Sequence, residues 1–111
     1  MANYICPVCG YDKLDTSPYE KDIQFPVDTN LTPPYSKYFG EPSYDVCSCC
    51  GFEFGNDDEP GTADGVTFKE FLLDWIKGGQ VWFDKNKKPP QWSLTEQIEN
   101  VKIEPNDLGL E

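Results

Sequence analysis

The chain contains no histidine and no arginine, and its one methionine is Met1. Without histidine it lacks the side chain that most often serves as general base near neutral pH. Without arginine, its whole positive charge is nine lysines, set against 20 Asp plus Glu, for a formal charge of −11. A chain this acidic is repelled by phosphate backbones, which argues against duplex DNA or RNA as partner. The balance suits plain solubility or a basic protein partner. No apolar run reaches 18 residues, so no membrane span is expected. The N-terminus Met1-Ala2-Asn3-Tyr4-Ile5-Cys6 has neither the basic start nor the apolar stretch of a secretory signal, and the expected location is cytoplasmic. Aliphatic residues are also scarce. Hydrophobic residues make up 38% of the chain while aromatics reach 14%, so the core must rest on a few large rings. At 111 residues there is room for one domain with a modest core, which a metal staple would help.

Five cysteines are present, all within two stretches, and four of them make matched pairs: Cys6 with Cys9 in Cys6-Pro7-Val8-Cys9-Gly10-Tyr11, and Cys47 with Cys50 in Cys47-Ser48-Cys49-Cys50-Gly51-Phe52. Each reads Cys-x-x-Cys-Gly-aromatic. The spacing turns two thiolates toward one centre, and the glycine lets the backbone take a positive φ and turn its amides toward the sulfurs. In a reducing cytoplasm such pairs point to metal rather than to disulfides. Cys6, Cys9, Cys47 and Cys50 are the expected ligands of a closed, four-sulfur site. Four thiolates leave no open position, which favours structural zinc over a catalytic metal. Binding would contribute ~10 kcal/mol or more to folding. Rubredoxin-like iron uses the same ligands, and spacing does not separate the two. With Zn²⁺ and four thiolates the charge becomes about −13. Cys49 has no counterpart in the first unit and is expected to be a bystander, with an exchangeable or redox-active ligand as the sharper alternative. A thioredoxin-like reading needs a helix starting at the first cysteine, whereas glycine and an aromatic follow each pair and suit a turn.

Around these units the chain divides simply. Tyr4-Ile5 leads into the first. Residues 12–46 are a long excursion with Pro18, Pro26, Pro33, Pro34 and Pro42, too proline-rich for a long helix. It is expected to wrap over the core as an ordered loop, with a possible edge strand at 23–27. Tyr44-Asp45-Val46 and Phe52-Glu53-Phe54 read as strands into and out of the second unit. From 41 to 65 there are seven acids and no lysine. The acidic stretch 55–65 lacks the residue pattern of a calcium loop and reads as a solvated loop or a partner-facing surface.

The clearest helix runs over 67–77. Thr67 with Glu70 makes a capping box, and Phe68, Phe71, Leu72, Trp75 and Ile76 make one apolar face before Gly78-Gly79. Val81-Trp82-Phe83 is expected to continue the packed surface. Lys85, Lys87 and Lys88 form the basic cluster of an exposed loop. A second short helix is expected near 93–102, with Leu94, Ile98 and Val101 facing inward, and residues 104–111 are expected to fray. Glu70 and Asp74 lie four apart but on the polar face of their helix, and no nucleophile and base are set out together.

The residues from Cys6 to Tyr11 and from Tyr44 to Asp58 resemble the small bacterial cysteine-rich CPCC-type proteins, which pair a cysteine start with a Tyr-acid-aliphatic-Cys block running into aromatic and acidic residues. The resemblance covers about a quarter of the chain, and Ser48 stands where the family carries proline. It implies a zinc-ribbon-like knuckle pair and no particular activity. The expectation is a single α+β domain over 1–111: the knuckle pair with short antiparallel strands, packed against helix 67–77 and a smaller helix within a helical part 67–102. The expected function is a non-enzymatic, zinc-stabilised protein-interaction or antitoxin-like inhibitor module. The alternatives are a nucleic-acid-binding zinc ribbon, with aromatics stacking on bases, and a thiol redox protein.

Overall fold

The computed structural model describes residues 3–28, 30–58 and 66–109. Among the described residues there are three short α-helices: α1 (Ser36–Phe39), α2 (Phe68–Lys77) and α3 (Leu94–Gln97). Single 3-10 turns follow at Lys85–Lys87, Ile98–Val101 and Pro105–Leu108.

The expected antiparallel strands do not form, so the α+β, strand-bearing fold class is overturned. Among the described residues there are only isolated antiparallel bridges, Tyr4 with Leu14, Tyr19 with Pro42 and Val46 with Glu53. The reason is local. Each leg beside a knuckle is two or three residues long before something ends the pairing. Tyr44 takes a positive φ of 63° and Gly55 one of 95°, so the second hairpin stops after the bonds between Tyr44 N and Phe54 O (3.1 Å) and between Phe54 N and Asp45 O (3.1 Å). In the stretch 23–27, Pro26 has no N–H to give to a ladder.

Helix α2 forms where the sequence places it. Thr67 Oγ1 accepts from Glu70 N at 3.0 Å, and Glu70 Oε1 accepts from Thr67 N at 3.1 Å, so the capping box is complete. Phe68 and Leu72 are buried, each worth about 2 kcal/mol in removed apolar surface. The second helix is shorter and looser than 93–102: α3 gives way to the 3-10 turn Ile98–Val101, which ends at Lys102 in the left-handed region. Ser93 does not cap the helix; its hydroxyl pairs with that of Thr95 at 2.9 Å. The tail 104–109 is not frayed. It closes in a 3-10 turn with Leu108 buried; residues 110 and 111 lie outside the described residues.

Rings fill the core. Tyr35 stacks on Phe68 with centroids 3.7 Å apart, and Phe52 meets Phe54, Phe68 and Phe71 at 4.9–5.5 Å. Tyr11, Trp82, Trp92 and Trp75 make a second run of edge contacts at 5.5–5.9 Å. The excursion does wrap the core, and its attachment is polar. Asp58 is the one charged side chain buried among the described residues. Its Oδ2 accepts from Tyr19 Oη at 2.7 Å and from Tyr35 N at 3.1 Å, and its Oδ1 accepts from Gly55 N at 2.9 Å. Burial, then the bond to Asp58, pushes the Tyr19 phenol well above its ordinary range, so it stays a donor. The acidic stretch is therefore not simply a solvated loop. Asp57 also accepts from Glu53 N at 2.7 Å, while residues 59–65 lie outside the described residues.

Replacing Asp58 with alanine strands three donors, two of them in the core. The expected loss is about 3 kcal/mol or more, against about 1–2 kcal/mol for Tyr19→Phe, read from urea unfolding. A change within about 0.5 kcal/mol for Asp58→Ala, as at a solvated surface acid, contradicts this account.

Candidate metal centre

The two knuckles are built alike. In the first, Cys6 N donates to Tyr11 O at 2.7 Å and Gly10 N donates to Cys6 O at 2.9 Å. In the second, Cys47 N donates to Phe52 O at 3.0 Å and Gly51 N donates to Cys47 O at 2.9 Å. Gly10 and Gly51 have φ of 86° and 81°, the left-handed conformation that closes the turn. Val8 N points at Cys6 Sγ, 3.4 Å away.

These turns bring together all four cysteines singled out by spacing. Cys6, Cys9, Cys47 and Cys50 are buried, and their sulfurs all lie within 4.8 Å of one another. Cys6 Sγ is 3.9 Å from Cys50 Sγ, and Cys9 Sγ is 3.7 Å from Cys47 Sγ. A disulfide needs about 2.0 Å, and all five cysteines are free. A tetrahedron with metal–sulfur bonds of about 2.3 Å has edges of about 3.8 Å. The cluster thus has the size of a tetrathiolate cage and could hold a metal ion.

Its electrostatics point the same way. Burial pushes the Cys6, Cys9 and Cys50 thiols up. Hydrogen bonds from Cys50, Cys6 and Cys9 hold Cys47 far below the usual thiol range. Burial therefore opposes charge on most of these sulfurs. A divalent ion would let all four ionise, because it supplies the charge that buried sulfur lacks.

The fifth sulfur is placed differently. Cys49 is fully buried but stands outside the four-sulfur group. Its Sγ lies 3.3 Å from Gln97 Nε2, which also donates to Cys9 O at 3.0 Å. Trp92 Nε1 donates to Gln97 Oε1 at 2.8 Å and fixes which way the amide faces. Asn100 Nδ2 donates to Gly10 O at 2.9 Å. The segment 94–101 therefore lies directly on the first knuckle, so closely that a Cβ on Gly10 would collide with the Gln97 carbonyl. Gly10 is thus required twice over, by its φ and by this contact. On the second knuckle, Phe83 N donates to Cys49 O at 3.0 Å and Asp84 N to Ser48 O at 2.8 Å.

Sequence reasoning missed Gln97 and Asn100. One signal was there. Gln97 sits three residues after Leu94 and four before Val101, inside the inward face, and a polar residue on such a face has a polar partner to find.

Cys47→Ser is expected to abolish metal retention and cooperative unfolding, whereas Cys49→Ser should keep the full metal content and cost about 1 kcal/mol. Metal content after gel filtration and melting curves check this. Loss of metal in Cys49→Ser would make it a ligand and contradict the assignment.

Comparison with known proteins places this chain beside bacterial proteins. It is 24% identical over 86 residues to the uncharacterized protein YozI of Bacillus subtilis (strain 168), an overlap of 68% of this chain and 59% of that protein. It is 28% identical over 88 residues to the uncharacterized protein YoaQ of the same organism, an overlap of 70% and 61%. The chain spans about three fifths of the length of these curated relatives. No family model and no solved structure matches. The chain is thus similar to bacterial proteins and has a buried four-cysteine cluster able to hold a metal ion.

Proposed function

We propose that this chain is a small cytoplasmic protein whose structural zinc, held by Cys6, Cys9, Cys47 and Cys50, sets up a surface for binding another protein, in the manner of an inhibitor or antitoxin. The observation that carries the reading is the burial of the whole cage: these four cysteines are 0–5% exposed. A metal there has four sulfur ligands, no open position and no path for substrate, so its work is to hold the chain together. The resemblance of the two knuckle blocks to the CPCC-type proteins supports the same reading.

The partner class follows from charge. At −11 overall, with no lysine between 41 and 65, the acidic surface favours a basic protein and speeds its encounter at low salt. No helix among the described residues is long and apolar enough to cross a membrane.

Metal-loaded, immobilised protein should retain a basic protein whose association slows as salt rises, and should neutralise that protein's activity if it is a toxin. Retention of nucleic acid instead, or catalysis of thiol–disulfide exchange by the metal-loaded chain, would overturn the reading.

A further inference from the structure

The segment after α2 carries a feature that the acidic-surface reading does not use. Val81 and Phe83 are 58% and 67% exposed, while Trp82 between them is 3% exposed. The alternation puts two large apolar side chains on one outward face. The sequence leads one to expect all three to pack inward, and only Trp82 does. The exposed pair is nevertheless held in place. Trp75 Nε1 donates to Val81 O at 2.7 Å, Phe83 N and Asp84 N are bonded to the second knuckle, and the Phe83 ring lies over Gly51.

The lysine cluster follows at once. Lys85, Lys87 and Lys88 are exposed and fall within four residues of an otherwise acidic chain. The nearby acid, Asp84, is turned inward to its own turn, where Oδ1 accepts from Asn86 N at 3.1 Å. Lys88 Nζ stands 5.4 Å over the Trp92 ring. Lys87 borders a hollow with Ser48 and Val46 of the second knuckle, shared with Lys13 and the acids Asp15 and Asp45. Lys87 thus has carboxylates near it, whereas Lys88 rests on a ring that leaves its charge uncancelled, so Lys85 and Lys88 are the cations set out for a partner.

We infer that Val81 and Phe83, with Lys85 and Lys88 beside them, form a docking surface for a short acidic polypeptide segment bearing an apolar anchor. Charge complementarity selects the occupant. Ionic screening at about 0.15 M salt acts within about 8 Å, so a segment lying on this patch feels chiefly the charges next to it, where Lys85, Lys87 and Lys88 outnumber Asp84. Two copies of this chain meeting face to face would bring lysine against lysine. The patch offers one ring, not the row of rings that stacks successive bases, and the −11 charge opposes a polyphosphate. This surface is separate from the acidic one above and goes beyond the function proposed there. Because Phe83 and Asp84 hang on the backbone of Ser48 and Cys49, the patch exists only while the second knuckle is folded.

The test is to pan phage-displayed random dodecapeptides against the metal-loaded full chain at about 0.15 M salt. Enriched peptides should be acidic with an aliphatic or aromatic residue. Phe83→Ser, and separately the double variant Lys85→Glu with Lys88→Glu, should each weaken the selected peptide by about tenfold or more. The double variant changes only exposed side chains, and unchanged metal content and melting show that it folds. Enrichment of basic peptides, no enrichment, affinity unchanged in both variants, or displacement of the peptide by an oligothymidylate would overturn the proposal.

Discussion

Four buried sulfur atoms, paired across the two knuckles at 3.7 and 3.9 Å, are the constraint on which the rest of the structure depends. Four thiolates at that separation in a dry pocket repel one another, and four thiols make weak hydrogen bonds. A divalent cation would resolve the conflict, because it supplies the charge that buried sulfur lacks. Around the cage each neighbouring element has one job. Gly10 and Gly51 close the turns. Gln97 and Asn100 fasten the C-terminal helical segment to the first knuckle. Phe83 and Asp84 fasten the segment after α2 to the second. A chain with so few aliphatic residues and no sheet among its described residues thus gains its order from polar ties to a small cluster, with packed rings filling the space between.

A second tie works independently of the sulfurs. Asp58 gathers Tyr19 and Tyr35 of the proline-rich excursion and Gly55 of the hairpin exit into one buried knot. The aromatic stack of Tyr35 on Phe68 then joins the excursion to the start of α2. Closing a 37-residue loop between Cys9 and Cys47 costs chain entropy that grows only as the logarithm of its length. The knot offsets part of it, which is how so long an insertion between two ligand pairs remains ordered.

What could be read from the sequence was what is written locally. The knuckles follow from three-residue cysteine spacing and the glycine after it, and α2 follows from a capping box and a stripe of apolar residues within eleven positions. The cage residues were legible for the same reason. The strands were misread because alternation in Tyr44–Val46 and Phe52–Phe54 says nothing about where pairing stops; the positive φ at Tyr44 and Gly55 stops it after one bridge. Asp58 looked like its neighbours because its partners are 23 and 39 residues away. Gln97 contacts a carbonyl 88 residues away. Val81 and Phe83 looked like core because hydrophobicity does not tell which side of an extended segment faces solvent. Residues whose roles depend on distant parts of the chain were those that the sequence left open.

The central claim is that the sulfur cage holds a metal that the fold requires. Native mass spectrometry of protein purified without chelator tests it most directly. The account predicts a folded chain carrying a single zinc ion, with charge states that broaden to those of an unfolded chain when the ion is stripped. A compact chain that is metal-free as purified, with four or five thiols open to alkylation, would contradict it.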